Sequence, residues 1–171
     1  MGFSMLPGNP GNRMAIVSGP GGLAVSAAEA CGRQGIVLAD LSAETRLNLS
    51  RIITYSGTSL TNPVDVSLAA HFDLDIFFET TRTVAADPGV DAIIVIGCGL
   101  TPEMNQIYSE GLIRVFHDCK TPILAVNIPG SAPLNSSELC RGGIPFFDSA
   151  ERAVNTYALA RRYGQWIKGR R

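Results

Sequence analysis

Three common signals are missing from this 171-residue chain: an excess of charge, a long apolar run and a metal-type spacing of cysteines. Fourteen basic side chains stand against 15 acidic ones, a formal net charge of −1, so nothing in the balance draws the chain to nucleic acid or a membrane surface. The longest apolar run, Ala92 to Leu100, falls well short of the roughly 20 residues that cross a bilayer. Cys31, Cys98, Cys119 and Cys140 include no C-x-x-C pair, and His71 and His117 stand far from any ligand-like cluster, so no metal site is expected. The opening residues lack the charged and apolar regions of a secretory signal, and Leu6 stands where a myristoylation motif needs Ser or Thr. Reduced thiols and a cytoplasmic location are the resulting expectation. No internal repeat is visible.

Hydrophobic residues make up 46% of the chain and charged residues 17%, which suits one globular domain with a substantial core. Residues 1–12 read as a linker, because Pro7 to Asn12 alternates proline, glycine and asparagine. Residues 13–163 read as the domain, and 164–171 as a basic tail. Between them, strand-like and helix-like segments alternate. Strands are expected at Met14–Ser18, Ile36–Ala39, Pro63–Val66, Asp91–Ile96, Pro122–Asn127 and Ile144–Phe147. Helices are expected after the first strand to Arg33, over Ser42–Ile53 with Leu41, Leu47 and Leu49 as its apolar residues, and over Leu68–Ala86. Pro102 suits the first turn of another helix, Asn135–Arg141 reads as a short one, and Asp148 with Glu151 forms a capping-box pattern before the last. The alternation argues for an α/β fold with a mainly parallel sheet covered on both faces.

Ligands of open α/β sheets bind beyond the carboxyl ends of the strands. Four unusual loops are expected there: Ser18-Gly19-Pro20-Gly21-Gly22, Asn62-Pro63-Val64-Asp65, Gly97-Cys98-Gly99-Leu100-Thr101 and Asn127-Ile128-Pro129-Gly130-Ser131. Two lead into helix amino ends, where free N–H groups and partial positive charge favour an anion. One such loop is an ordinary strand-to-helix turn; four together point to a phosphate site. Side chains offer less. His71 with Asp75 one turn on reads as a helix-surface ion pair, His117 suits a helix carboxyl end, and Asp65 is the best polar candidate. The loops contain no aromatic residue, so flavin is not expected. A phospho-receiver would need an acidic pair where Ser18-Gly19 stands.

Six motifs occur in order: Gly11-Asn12-Arg13-Met14-Ala15-Ile16-Val17-Ser18, Gly21-Gly22, Asn62-Pro63-Val64-Asp65, Asp87-Pro88-Gly89-Val90-Asp91-Ala92, Lys120-Thr121-Pro122-Ile123-Leu124-Ala125-Val126 and Gly143-Ile144-Pro145-Phe146-Phe147. The pattern resembles the second flavodoxin-like ligase domain of NDP-forming acyl-CoA synthetases, and more distantly the C-terminal domain of the succinyl-CoA synthetase β subunit. The resemblance implies a three-layer flavodoxin-like fold. It implies a share in the reaction acyl-CoA + NDP + phosphate = carboxylic acid + CoA + NTP, which passes through a phosphohistidine.

Carried over by position, Ser18, Gly19, Gly21, Gly22, Gly97, Cys98, Gly99 and Thr101 would bind the phosphoryl group, and Asn62 and Asp65 would brace their loops. No catalytic side chain is expected in this chain, since neither histidine matches the phosphorylated one. The usual polar residue and alanine before the glycine pair are replaced by Gly19 and Pro20. No cofactor is expected on this domain alone; CoA, ADP/ATP or GDP/GTP and Mg²⁺ belong to the complete enzyme. The implied partners are a CoA-binding domain, the phosphohistidine-bearing ligase domain and an ATP-grasp domain or subunit, with a homodimer left open. The alternative is a non-catalytic flavodoxin-like binding or subunit-interaction module.

Overall fold

The computed structural model describes residues 2–8, 10–128 and 136–170. Its strands are β1 (Arg13–Ser18), β2 (Val37–Leu38), β3 (Val64–Asp65), β4 (Ala92–Ile96), β5 (Ile123–Val126) and β6 (Phe146–Phe147). Its helices are α1 (Gly21–Arg33), α2 (Ala43–Ile52), α3 (Leu74–Ala85), α4 (Pro102–Cys119), α5 (Ser136–Arg141) and α6 (Ala150–Lys168). The sheet order is β2-β1-β4-β5-β6, with β3 also on β1, and every strand pairing is parallel.

Side chains alternate across β1 with period two and feed two cores. Met14 and Ile16 join Ala24, Ala27 and Ala30 of α1 and Val154 and Tyr157 of α6 on one face. Ala15 and Val17 join Leu49, Phe77, Tyr108 and Leu112 on the other. Alanine at the buried positions of α1 lets its backbone lie close to the sheet and to α6. All five residues of β4 are buried, as a central parallel strand covered on both faces requires.

β4 occupies one edge of β1 from Met14 to Ser18. The other edge is shared. β2 pairs with Arg13 and Met14, and β3 with Val17 and Ser18. The Asn62 side chain fills the gap between them. Its Oδ1 accepts from the Ile16 N–H at 2.9 Å, while Nδ2 donates to the Met14 carbonyl at 2.8 Å and the Ala39 carbonyl at 3.0 Å. One side-chain amide thus replaces a missing rung of the ladder and ties β2 to β1.

Two of the sequence motifs meet at the opposite end of β1. The Asp91 carboxylate accepts from the Asn12 N–H, the Arg13 N–H and the Arg13 guanidinium, the last at 2.7 Å. Gly11 is fixed by this contact, since a Cβ there would lie 2.2 Å from the Asp91 carboxyl carbon. Hydrogen bonding to Arg13 holds the Asp91 carboxyl below its ordinary pKa.

Several sequence expectations shift. The long helix from Leu68 divides into a 3-10 turn, Leu68–His71, and α3 from Leu74. Asp73 between them is extended (φ −133°, ψ 85°). Phe72, apolar and within the expected helix, is 79% exposed, and Leu47 of α2 also faces outward. Ser149, not Asp148, caps α6 through the Arg152 N–H, while Asp148 pairs with the Arg152 guanidinium. Residues 2–5 form a 3-10 turn, and Leu6 packs on the α1–α6 core.

Asn62→Ala leaves the buried Ile16 N–H unpaired and should lower the unfolding free energy in urea by about 2–4 kcal/mol. A change below about 0.5 kcal/mol would show that the bridge is dispensable. Because the folded pKa of Asp91 is depressed, its contribution is fully present above the unfolded value and is lost as pH falls through the folded one. The urea midpoint should therefore lose stability below about pH 4, and Asp91→Asn should flatten that slope.

Candidate functional site

Each helix that follows a parallel strand starts at that strand's carboxyl end, so the amino ends of α1, α3, α4 and α6 lie along one edge of the sheet. Ser18 of β1 is level with Asp65 of β3 and Ile96 of β4. Ser18, Gly19, Gly21, Asp65 and Gly97 are thereby gathered at neighbouring strand tips.

Hydrogen bonding separates these residues into two groups. The Gly19 N–H donates to the Ile96 carbonyl, and the Gly97 N–H to the Val126 carbonyl. The Gly99 N–H donates to Asn105 Oδ1 at 2.7 Å. Ser18 Oγ turns back and donates to the Pro20 carbonyl at 2.9 Å. Thr101 caps α4 by accepting from the Met104 N–H. Gly97, Cys98 and Gly99 are buried. A Cβ on Gly97 would lie 2.5 Å from the Tyr108 hydroxyl, and one on Gly99 would strike the backbone of α4. These residues shape the edge, and the amides of Gly19, Gly97 and Gly99 are already engaged.

The N–H groups of Gly21 and Gly22 are different. Pro20 precedes α1 and supplies no side-chain cap, nor does Asp73 cap α3 by a side-chain hydrogen bond, whereas Ser42, Thr101 and Ser149 cap α2, α4 and α6. Among the described residues, nothing accepts from Gly21 N–H or Gly22 N–H. These are two orphan donors at a helix amino end, where partial positive charge collects. Gly22 faces open space, while a Cβ on Gly21 would lie 2.6 Å from Asp65 Oδ2. Asp65 Oδ1 accepts from the Ser67 N–H. Its carboxylate borders the Gly21 side.

Asn62 lies lower, on β1 between Met14 and Ile16, and reaches the tip only through the strand. Of the Asn127–Ser131 loop, Pro129, Gly130 and Ser131 lie outside the described residues. On the α1–α6 face a cavity of about 140 Å³ opens beside the tips, lined by Leu23, Ser26, Ile96, Asn127, Asp148 and Glu151. No group of three His, Cys, Asp or Glu side chains able to hold a metal ion occurs among the described residues. Among them no helix is long and apolar enough to cross a membrane.

Sequence reasoning missed His71. It sits in the 3-10 turn rather than on a helix face, is 2% exposed and makes no ion pair with Asp75. Its ring lies directly under Gly19, where a Cβ would meet Cε1 at 2.1 Å. Nδ1 is 3.0 Å from the Leu68 carbonyl, and Nε2 is buried without a partner among the described residues. Burial lowers its pKa, against an opposing effect of the Leu68 carbonyl. The missed signal was the break at Phe72-Asp73, which removes the helical register with Asp75. His117 occupies the last turn of α4, at the far edge of the sheet from the tips.

No family model matches the chain. Among curated proteins it is 30% identical to the alpha subunit of ADP-forming acetate–CoA ligase II of Pyrococcus furiosus, over 93% of this chain and 36% of the relative. It is 28% identical to the ADP-forming 4-hydroxybutyrate–CoA ligase of Nitrosopumilus maritimus, over 97% of this chain and 23% of the relative. The chain therefore spans about a quarter to a third of the length of these relatives. A Pyrococcus horikoshii protein of solved structure superposes with a TM-score of 0.79 at 24% identity, over 92% of this chain and 38% of that one. The dinucleotide-forming acetyl-coenzyme A synthetase 1 of Ca. Korarchaeum cryptofilum, solved with phosphate and ADP, gives 0.73 at 21% identity, over 95% of this chain and 37% of that one. These likenesses establish the fold, an α/β arrangement on a mainly parallel sheet. By sequence, this chain is a relative of one segment of the ADP-forming acyl-CoA ligases.

Proposed function

We propose that the chain acts as one domain of an ADP-forming acyl-CoA ligase and contributes main-chain donors to its phosphoryl-transfer step. The phosphoryl group rides on a histidine of a partner ligase domain, and the amino end of α1 holds it. The observation that carries this reading is the uncapped start of α1, where nothing among the described residues accepts from the Gly21 and Gly22 N–H groups. Fixed amides stabilise charge without reorganising, and phosphoryl transfer depends almost wholly on such positioning. The histidines of this chain are poor phosphoryl carriers on geometric grounds. His71 is buried beneath Gly19, and His117 lies at the opposite edge of the sheet.

In this reading the CoA-binding domain and the ATP-grasp domain or subunit supply the sites for CoA and nucleotide. For Mg²⁺, Asp65 is the carboxylate beside Gly21, and no group of three ligand-type side chains occurs among the described residues. The residues present do not fit a resident metal, and no step here is routed through one. The roles of Gly97, Cys98, Gly99 and Thr101 narrow to shaping the edge beside the seat, and those of Asn62 and Asp65 to holding β1 and bordering Gly21.

Gly22→Pro removes one donor while keeping a residue that a first helical turn tolerates; Gly22→Ala keeps the donor and fills only open space. With the remaining ligase domains supplied, acyl-CoA-, phosphate- and ADP-dependent ATP formation should fall about 10²–10³-fold for Gly22→Pro. Gly22→Ala should stay within about threefold of the unsubstituted chain, since surface changes away from special features are nearly neutral. Equal loss in both variants would overturn the role of the amide. ATP formation by the isolated chain would overturn the division of labour between domains.

A further inference from the structure

His71 is a buried group that the proposed function does not use. Nδ1 faces a carbonyl, which can only accept, so the ring proton of the neutral side chain sits on Nδ1 and Nε2 carries a lone pair. That lone pair is buried and unpartnered among the described residues. An unmet buried acceptor is costly, and native structures hold few of them. This one lies beneath the first glycine of the loop that ends in the free amides of α1. The surrounding charge is one-sided. Residues 14–22, 62–73 and 97–101, which form the tip, contain no lysine or arginine, and Asp65 places a carboxylate beside Gly21. An anion arriving there finds the helix end as its source of positive charge, and a carboxylate opposing it.

We propose that His71 is a positioning residue of the phosphate seat, which takes up one proton at Nε2 when inorganic phosphate or a phosphoryl group binds. The inference rests on reading the Gly21–Gly22 end of α1 as an oxyanion seat. The proton moves from solvent to Nε2, no covalent bond beyond the new N–H changes, and the unmet acceptor becomes a donor. The resulting imidazolium lies under Gly19 and offsets the incoming charge. Titratable groups on the elements around the ring are Asp65 on β3, Asp73 and Asp75 at the start of α3, Cys98 in the β4–α4 loop and Tyr108 on α4. Phe77 stands edge-on to both His71 (5.8 Å) and Tyr108 (5.4 Å). In the free protein, burial and the Leu68 carbonyl alone set the proton affinity of the ring. The ring is therefore neutral above its ordinary pKa and has a proton site to fill.

Phosphate titration of the histidine-¹⁵N- and backbone-¹⁵N-labelled chain tests this, with calorimetry in two buffers of different ionisation enthalpy. The probe is inorganic phosphate, with chloride at equal ionic strength as control. At pH 7.5–8.5 the account expects the Gly21 and Gly22 amides to shift and His71 Nε2 to pass from the unprotonated to the protonated range. It expects uptake approaching one proton per phosphate, so affinity falls up to about tenfold per pH unit. His71→Gln should lose the proton uptake and weaken phosphate binding, the Gly21 and Gly22 amides then shifting only at higher phosphate. Should that variant fail to fold, the Nε2 signal of the unsubstituted chain still decides. Amide shifts with an unchanged Nε2 would overturn the role of His71 and leave the seat standing. Unmoved Gly21 and Gly22 amides up to high phosphate would overturn the seat itself, and the inference with it.

Discussion

The structure depends on how β1 is held at both edges. One edge is an unbroken parallel ladder to β4. The other is assembled from two short strands that meet β1 at opposite ends, joined by the side-chain amide of Asn62. A central strand with an unpaired stretch would leave buried amides unmet, so the amide is a structural requirement rather than an ornament of the loop. Its consequence reaches function. β1 runs straight into Gly19 and Pro20, and the direction in which α1 presents its first amides follows from where that strand ends.

The amino end of α1 is then defined by what it lacks. A serine or threonine cap would satisfy one of its free N–H groups, as happens at α2, α4 and α6. Proline fixes the chain in an extended conformation ahead of the helix (φ −84°, ψ 113°) and offers nothing in return. Glycine at 21 makes room for Asp65, and glycine at 22 leaves the approach open. The neighbouring loop after β4 reaches a different solution. Its glycines admit Tyr108, Phe77 and the backbone of α4 at close range, and their own amides donate to the Val126 carbonyl and the Asn105 side chain. Two glycine-rich loops on adjacent strands thus differ in chemistry: one presents donors, the other provides a rigid neighbour.

The alternation of strands and helices was legible because each apolar run carried its own period and each loop its own glycine or proline. Coverage of the sheet on both faces also followed from that alternation. What escaped was whatever depended on long-range partners. The Leu68–Ala85 region carries helical spacing throughout, yet Ser67 (φ 68°) and the extended Asp73 bracket a separate 3-10 turn. That break buries His71 and exposes Phe72, the reverse of what a continuous helix predicts. Glycine spacing marked the loop after β4 but could not tell that Asn105 satisfies its amide, since the partner is a side chain within the next helix. Nor does sequence distinguish a glycine that admits a ligand from one that admits a tyrosine ring.

The account centres on two backbone amides meeting a phosphoryl group brought from elsewhere. A crystal structure of the complete ligase, trapped with its histidine phosphorylated, examines that meeting directly. The account predicts a phosphoryl oxygen at about 2.7–3.1 Å from the nitrogens of Gly21 and Gly22. A phosphoryl group held by other donors, with the start of α1 facing solvent or another surface, would contradict it.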